Sequence, residues 1–207
     1  MLPIVTLKDV SRSDVDRVSW WLEDGDVSAR WFGHYACGDP VHRGYDPQHM
    51  LEAPERDWIR VFGDSQRRIY SIYTPDGEHV GEAQALFDCE AGAEISLLIG
   101  LKDLWHHGYG TATALDLLDK VFDEPQIKRV WVNVPEDNTA ALGLFLKLGF
   151  TLDGSREICK RADGSPLETS ILTITSDVYL ERQPVRWKET PNGPVVTVTG
   201  LPGSESE

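Results

Sequence analysis

Residues 94–113 read Glu94-Ile-Ser-Leu-Leu-Ile-Gly100-Leu-Lys-Asp-Leu-Trp105-His106-His107-Gly108-Tyr109-Gly110-Thr111-Ala-Thr113. The first part, about Glu94–Leu101, is half alternating and half continuously apolar, which predicts a strand. A short loop leads to Gly108-Tyr109-Gly110-Thr111, where a helix opens and runs to about Phe122. Ala114, Leu117, Leu118, Val121 and Phe122 form its buried side. The first N–H groups of a helix have no intrahelical partner, and the helix dipole adds partial positive charge there. Glycines remove side chains that would hold a ligand away, so the segment predicts an anion seat suited to a pyrophosphate. A dinucleotide fingerprint would want a small residue at Thr113 and an acid about 20 positions on. Thr113 is not Gly, and the residues near Arg129 are basic. A P-loop needs Gly-Lys-Ser/Thr, which is absent. Gly-x-Gly also suits a tight turn with close helix packing, so a second signature is required.

That signature lies further along. Asn138–Leu148 predicts a helix with Asn138 as cap, Ala141, Leu144, Phe145 and Leu148 as apolar stripe, and Gly149 as the C′ residue. Between the two helices Val130–Val134 predicts a strand. Upstream, Ile4–Lys8 alternates like a strand, and Ser11 or Ser13 can cap a helix from about Asp14 to Glu23. Asp24 to Glu55 reads as an irregular, aromatic- and His-rich stretch resembling a substrate-side lid. Pro54–Phe62 predicts a short helix. Strands at about Arg68–Thr74 and Val80–Asp88 flank Pro75-Asp76-Gly77, and strands at about Thr151–Lys160 and Glu168–Leu180 flank Asp163-Gly164. The pattern is α+β around a mostly antiparallel sheet. From about 181, prolines punctuate a small appended hairpin, Val185–Trp187 with Val195–Thr199, and a Gly-Ser-Glu end.

Twenty Lys+Arg stand against 34 Asp+Glu, a net charge of −14. Such a chain lacks the cationic excess that phosphate backbones or anionic lipid surfaces require. The charge therefore points away from nucleic acid and membrane, and toward cationic partners. Three dispersed cysteines and the lack of a leader or membrane-length apolar run predict a cytoplasmic protein.

The segment Trp105–Thr111 and the segment Asn138-Thr-Ala-Ala141-Leu-Gly-Leu-Phe145-Leu-Lys147-Leu148-Gly149-Phe150 together resemble the GNAT superfamily of N-acetyltransferases. The closer likeness is to its ribosomal-protein N-terminal acetyltransferase-like branch, with spermidine and aminoglycoside acetyltransferases as neighbours. The first motif follows the family's Arg/Gln-x-x-Gly-x-Gly/Ala, with Trp105 at the Arg/Gln position. The resemblance covers residues 1–180 as one GNAT domain, leaving 181–207 as an appended hairpin and tail. It implies a GNAT fold, with a mixed, mostly antiparallel central sheet flanked by helices and splayed between the fourth and fifth strands.

The resemblance further implies acetyl-CoA as cosubstrate in that splay, without a metal. Main-chain groups of Leu97, Leu98 and Ile99 would pair with the pantetheine arm. His106, His107, Gly108, Tyr109, Gly110 and Thr111 would hold the pyrophosphate. Asn138 would contact the cofactor arm or act purely as a cap, and Phe145 would lie near the thiolate. The acceptor would be a small amine or a peptide N-terminus, gripped in part by Trp31 and Tyr35. Asp24, Asp26, Asp39 and Asp46 are nearby acids suited to a cation.

Direct attack of an amine on a thioester needs a proton acceptor, a donor to the oxyanion and, in many relatives, an acid for the thiolate. Glu94 is the candidate base and the Leu98 backbone N–H the candidate oxyanion donor. Phe145 stands where many relatives have Tyr and cannot donate a proton, so either no acid acts or Tyr109 substitutes. His34, His42 and His49 lack metal-ligand spacing and read as substrate-side or solvated groups. Two other readings stay open: an acetyl-CoA-binding module without turnover, and a structural homodimer formed through the C-terminal hairpin.

Overall fold

The computed structural model describes residues 2–31, 45–88, 92–160, 166–181, 188–190 and 193–195. Helix α1 (Arg12–Trp21) begins where Ser11 accepts the Asp14 N–H and Asp14 accepts the Ser11 N–H, a reciprocal capping box. Two short helices follow inside the stretch expected to be irregular. Helix α2 (Gly25–Ser28) is capped by Asp24, and α3 (Pro47–Glu52) by Asp46 with Pro at its start. Each is only about a turn long, too short to carry a periodic signal. Helix α4 (Glu55–Phe62) matches the expected short helix.

Seven strands form one sheet: β1 (Thr6–Asp9), β2 (Arg67–Tyr73), β3 (His79–Asp88), β4 (Gly92–Ile99), β5 (Arg129–Pro135), β6 (Thr151–Lys160) and β7 (Pro166–Thr175). Their spatial order is β1-β2-β3-β4-β5-β7-β6. Every pairing is antiparallel except β4 with β5. This is the mixed, mostly antiparallel α+β sheet the sequence predicts, with the break at the fourth and fifth strands.

Side-chain alternation gives β4 two faces. Ala93, Ile95, Leu97 and Ile99 join a core with helix α5 (Tyr109–Phe122), while Leu98 joins a second core with Val15, Val18, Trp21 and Trp31. The helices thus cover both sides of the sheet. Helix α6 (Thr139–Lys147) follows β5, and Gly149, at φ +97°, lets the chain turn back from it into β6.

One strand is shorter than expected. β7 stops at Thr175, and Ser176–Glu181 forms helix α7 rather than continuing the strand to Leu180. Ser176 donates its N–H to the Lys128 carbonyl, and the Tyr179 hydroxyl donates to Asp119 at 2.9 Å. These anchors turn the chain onto α5. Beyond it, β8 (Lys188–Thr190) and β9 (Gly193–Val195) pair antiparallel as a separate two-stranded sheet. Asp163 and Gly164 lie outside the described residues, and among those described no helix is long and apolar enough to cross a membrane.

Candidate active site

The parallel pairing of β4 with β5 is confined to Ala93 with Val130 and Glu94 with Trp131. β4 continues against β3 as far as Ile99 opposite Gly81, and β5 continues against β7 as far as Pro135. The two central strands therefore diverge after Glu94 and leave a notch. Gly100 N–H donates to the Val80 carbonyl at 2.9 Å, which fixes the phase of the β3–β4 ladder. In an antiparallel ladder, alternate residues turn their N–H and C=O to the same neighbour. Ser96 and Leu98 consequently face β3, while Ile95, Leu97 and Ile99 face the notch. The expected role of the Leu98 N–H as oxyanion donor fails on this register, because it is directed at the Glu82 carbonyl. The N–H groups of Leu97 and Ile99 line the notch instead.

At the open end of the notch stands the N-terminus of α5. Gly108 holds φ +87°, a left-handed conformation that suits glycine, and no side chain caps the helix. The first turn closes with Ala112 N–H on the Gly108 carbonyl, so the opening N–H groups remain directed outward. A Cβ on Gly110 would lie 3.1 Å from Leu144 Cδ1 and 3.8 Å from Leu97 Cδ1. That glycine is where α5, α6 and β4 meet. His106 and His107 are exposed beside the seat, and Tyr109 is half-buried against the main core.

Trp105 supports the loop. Its indole N–H donates to the Ile99 carbonyl at 2.7 Å, and Arg30 stacks on its ring at 4.7 Å. Lys102 pairs with Asp24 and Asp26, tying the same loop to α2. Trp at the Arg/Gln position of the motif thus bonds the protein itself and shapes the loop leading to the seat.

On α6, Asn138 Oδ1 accepts the Ala141 N–H at 3.2 Å, which establishes its capping role. Phe145 is buried, edge-to-face with Phe150 at 5.1 Å. It belongs to the apolar core and brings no proton donor to the notch.

The opposite face of β4 carries Glu94, Ser96 and Leu98 beside Glu82 and Gln84 of β3 and Ile69 and Ser71 of β2. Trp31 is fully buried there, edge-to-face with Tyr45, so it is core rather than an exposed substrate contact. Tyr35, His34, His42 and Asp39 lie outside the described residues. Asp14, 1% exposed, accepts from Tyr73 Oη at 2.5 Å, Ser71 Oγ at 3.0 Å and Arg17 at 2.7 Å. Burial opposes its ionisation, but the hydrogen bonds from Tyr73 and Ser11 outweigh that and hold it well below the usual carboxylate range. His79 accepts from Arg17 Nε at Nδ1 and sits 2.9 Å from the Gly81 carbonyl at Nε2, and burial lowers its pKa to about 4. It is a neutral histidine clamping α1 to the sheet.

Glu82 was not visible as a site residue from sequence. It is 1% exposed, with Oε2 accepting from Tyr45 Oη at 2.5 Å. Burial raises its pKa to about 8, against the Tyr45 hydrogen bond and the charge of Arg67. Within Val80-Gly81-Glu82-Ala83-Gln84-Ala85 the alternation reads as a solvated face. Only the tertiary packing of α1–α4 shows that this face is covered. Among the described residues no group of acids, His and Cys is arranged to hold a metal ion.

Comparison with known proteins agrees with this geometry. The structure is similar to that of spermidine N-acetyltransferase from Vibrio cholerae in complex with CoA and spermine, with TM-score 0.68 and 17% identity, covering 85% of this chain and 98% of that one. It is also similar to aminoglycoside acetyltransferase AAC(6')-Ib in complex with coenzyme A, with TM-score 0.63 and 19% identity, covering 86% and 98%. No curated protein sequence matches significantly. The family model described as "Acetyltransferase (GNAT) domain" matches residues 5–151, which include the notch, the helix seat and α6. The chain belongs to the GNAT acetyltransferase family.

Proposed function

We propose that the chain transfers the acetyl group of acetyl-CoA directly to the primary amine of a cationic small molecule or a peptide N-terminus. The observation that carries this reading is the β4–β5 notch with an uncapped, glycine-opened helix at its mouth. The N–H groups of Tyr109, Gly110 and Thr111 would receive the pyrophosphate, with His106 and His107 beside it. The pantetheine arm would pair along Leu97 and Ile99. The same two N–H groups are the donors available to a thioester oxyanion.

The acceptor would approach the other face of β4, where Glu94 and Glu82 are the carboxyls available to take its proton. Tyr109, at the opening of α5, is the candidate acid for the thiolate. The similar structures include a polyamine and an aminoglycoside acetyltransferase, and the charge of −14 favours such cationic acceptors. The narrower affiliation with the ribosomal-protein branch rests on the motif containing Trp105. We also keep the C-terminal hairpin as a proposed dimer contact, which sedimentation of a chain lacking residues 181–207 would test.

The direct experiment is release of free thiol from acetyl-CoA in the presence of spermidine, kanamycin and an N-terminal peptide. Amine-dependent release supports the reading. Tight acetyl-CoA binding without release onto any of the three would favour a cofactor-binding module instead.

A further inference from the structure

The acceptor face holds two buried oxygens that the protein leaves without hydrogen-bond partners among the described residues, Glu82 Oε1 and Gln84 Oε1. They belong to residues two apart on β3, so they share one face of the sheet. Buried polar atoms are normally satisfied, and once Glu82 is ionised these two oxygens are acceptors on one face with no donor from the described residues. A primary ammonium carries three N–H donors and a positive charge, which complements an acid and an amide oxygen. Glu82 is also the Cα partner of Leu98, the residue between Leu97 and Ile99, whose N–H groups line the notch. It therefore stands one strand away from the place where an acetyl group would lie. Tyr45 fixes the other carboxyl oxygen, which leaves Oε1 as the atom free to act.

We propose that Glu82 binds the acceptor's ammonium through Oε1 and takes its proton, directly or through one water, before attack on the thioester. This role rests on the acetyltransferase reading above. One proton passes from nitrogen to Glu82, and the freed lone pair forms the C–N bond to the acetyl carbon. The C–S bond breaks with its electron pair on sulfur, and a second proton from the attacking nitrogen converts the thiolate to free CoA thiol. The third hydrogen stays on the amide, and Glu82 returns its proton to solvent.

Among the described residues, the charged and titratable groups acting on Glu82 come from α1, from β2 and from the segment before α3, with one further acid along β4. They are Tyr45 from the segment before α3, Arg67 from β2, Asp14 from α1 and, further along the same face, Glu94 from β4. Burial holds Glu82 protonated to about pH 8 in the free protein, so its basic form grows in as pH rises through that value.

The test is kcat/KM for spermidine, kanamycin and the peptide across neutral to alkaline pH, with acetyl-CoA affinity measured by calorimetry on each variant. Glu82→Gln should lower kcat/KM by about 100-fold or more, a general-base loss, with acetyl-CoA affinity retained. Its residual rate should track only the free-amine fraction and so climb at higher pH. Tyr45→Phe keeps the carboxyl and removes a hydrogen bond that favours its ionised form, so the rise should move to higher pH. That variant also serves if Glu82→Gln fails to fold. Wild-type turnover with an unaltered pH profile in Glu82→Gln, or an unmoved one in Tyr45→Phe, would overturn the role of Glu82 alone. Loss of the rise in Glu94→Gln together with its retention in Glu82→Gln would transfer the role to Glu94. Absence of wild-type turnover on all three amines would remove the acetyltransferase reading and this role with it.

Discussion

Replacing Glu82 by Gln should change how stability depends on pH, whatever the acceptor is. The carboxyl ionises near its ordinary 4.5 in the unfolded chain and near 8 in the folded one. Between those values the folded state holds the proton and the unfolded state does not, so stability falls as pH rises. Each unit is worth about 1.4 kcal/mol, which places the ceiling at about 5 kcal/mol by the time pH passes the folded value. His79 works in the opposite direction, since burial takes it from 6.5 to about 4. In that window the unfolded state binds the extra proton, and stability rises with pH. In the wild type the two slopes oppose each other from about 4.5 to 6.5, and from there to about 8 the Glu82 slope continues without the His79 slope against it. Asp119, raised to about 7 by burial and then by Asp116 and Asp123, tilts both proteins equally and drops out of their difference. Urea unfolding followed by tryptophan fluorescence at a series of pH values measures this directly. The variant should gain on the wild type steadily above about pH 4.5 and hold a constant advantage above about pH 8. Stability curves that stay parallel across the range would show that folding does not raise the Glu82 carboxyl.

Two further outcomes follow from the polar contacts around the site. Asp14→Asn turns an amide N–H toward donors already committed to Asp14, including Tyr73, Ser71 and Arg17. It should cost about 3–5 kcal/mol, the scale of breaking a buried charged network. Calorimetric melting should show it as a lowered Tm, by about 2–4 °C per kcal/mol for a domain of this size. Trp105→Phe keeps an aromatic ring beside Arg30 but removes the donor to the Ile99 carbonyl. One neutral hydrogen bond is worth about 0.5–1.5 kcal/mol, so acetyl-CoA affinity should fall by up to about tenfold. Unchanged titration calorimetry would show that the loop holds its shape without that bond.

The notch and its seat were legible in sequence because their signals are local. Gly108 and Gly110 punctuate a strand–loop–helix passage, Asn138 caps α6, and Gly149 ends it. Each of these signals acts within a few residues of itself. The exchange of Leu98 for Leu97 and Ile99 as notch-facing donors was not legible, because the phase of a ladder depends on its partner strand. Glu82 was hidden for a similar reason. A Glu between two alanines on an alternating strand looks solvated until α1–α4 are seen to cover it. Trp31 illustrates the converse, since an aromatic residue in a functional neighbourhood lies fully buried in the core, whereas the burial of Phe145 follows from the apolar stripe of its own helix. The end of β7 at Thr175 is set by tertiary anchors, the Ser176 bond to Lys128 and the Tyr179 bond to Asp119, which no local pattern encodes.

If the opening of α5 seats the pyrophosphate of acetyl-CoA, Thr111→Glu should disturb that seat with little disturbance to the fold. Thr111 lies in the first turn of α5, where a carboxylate favours the helix by about 0.3–1 kcal/mol. The same carboxylate would repel a pyrophosphate on those N–H groups. Titration calorimetry with acetyl-CoA should show affinity reduced at least about tenfold relative to wild type, equal to about 1.4 kcal/mol, with Tm unchanged or raised. An affinity equal to that of the wild type, in a variant that melts no lower, would show that the pyrophosphate does not rest on those N–H groups.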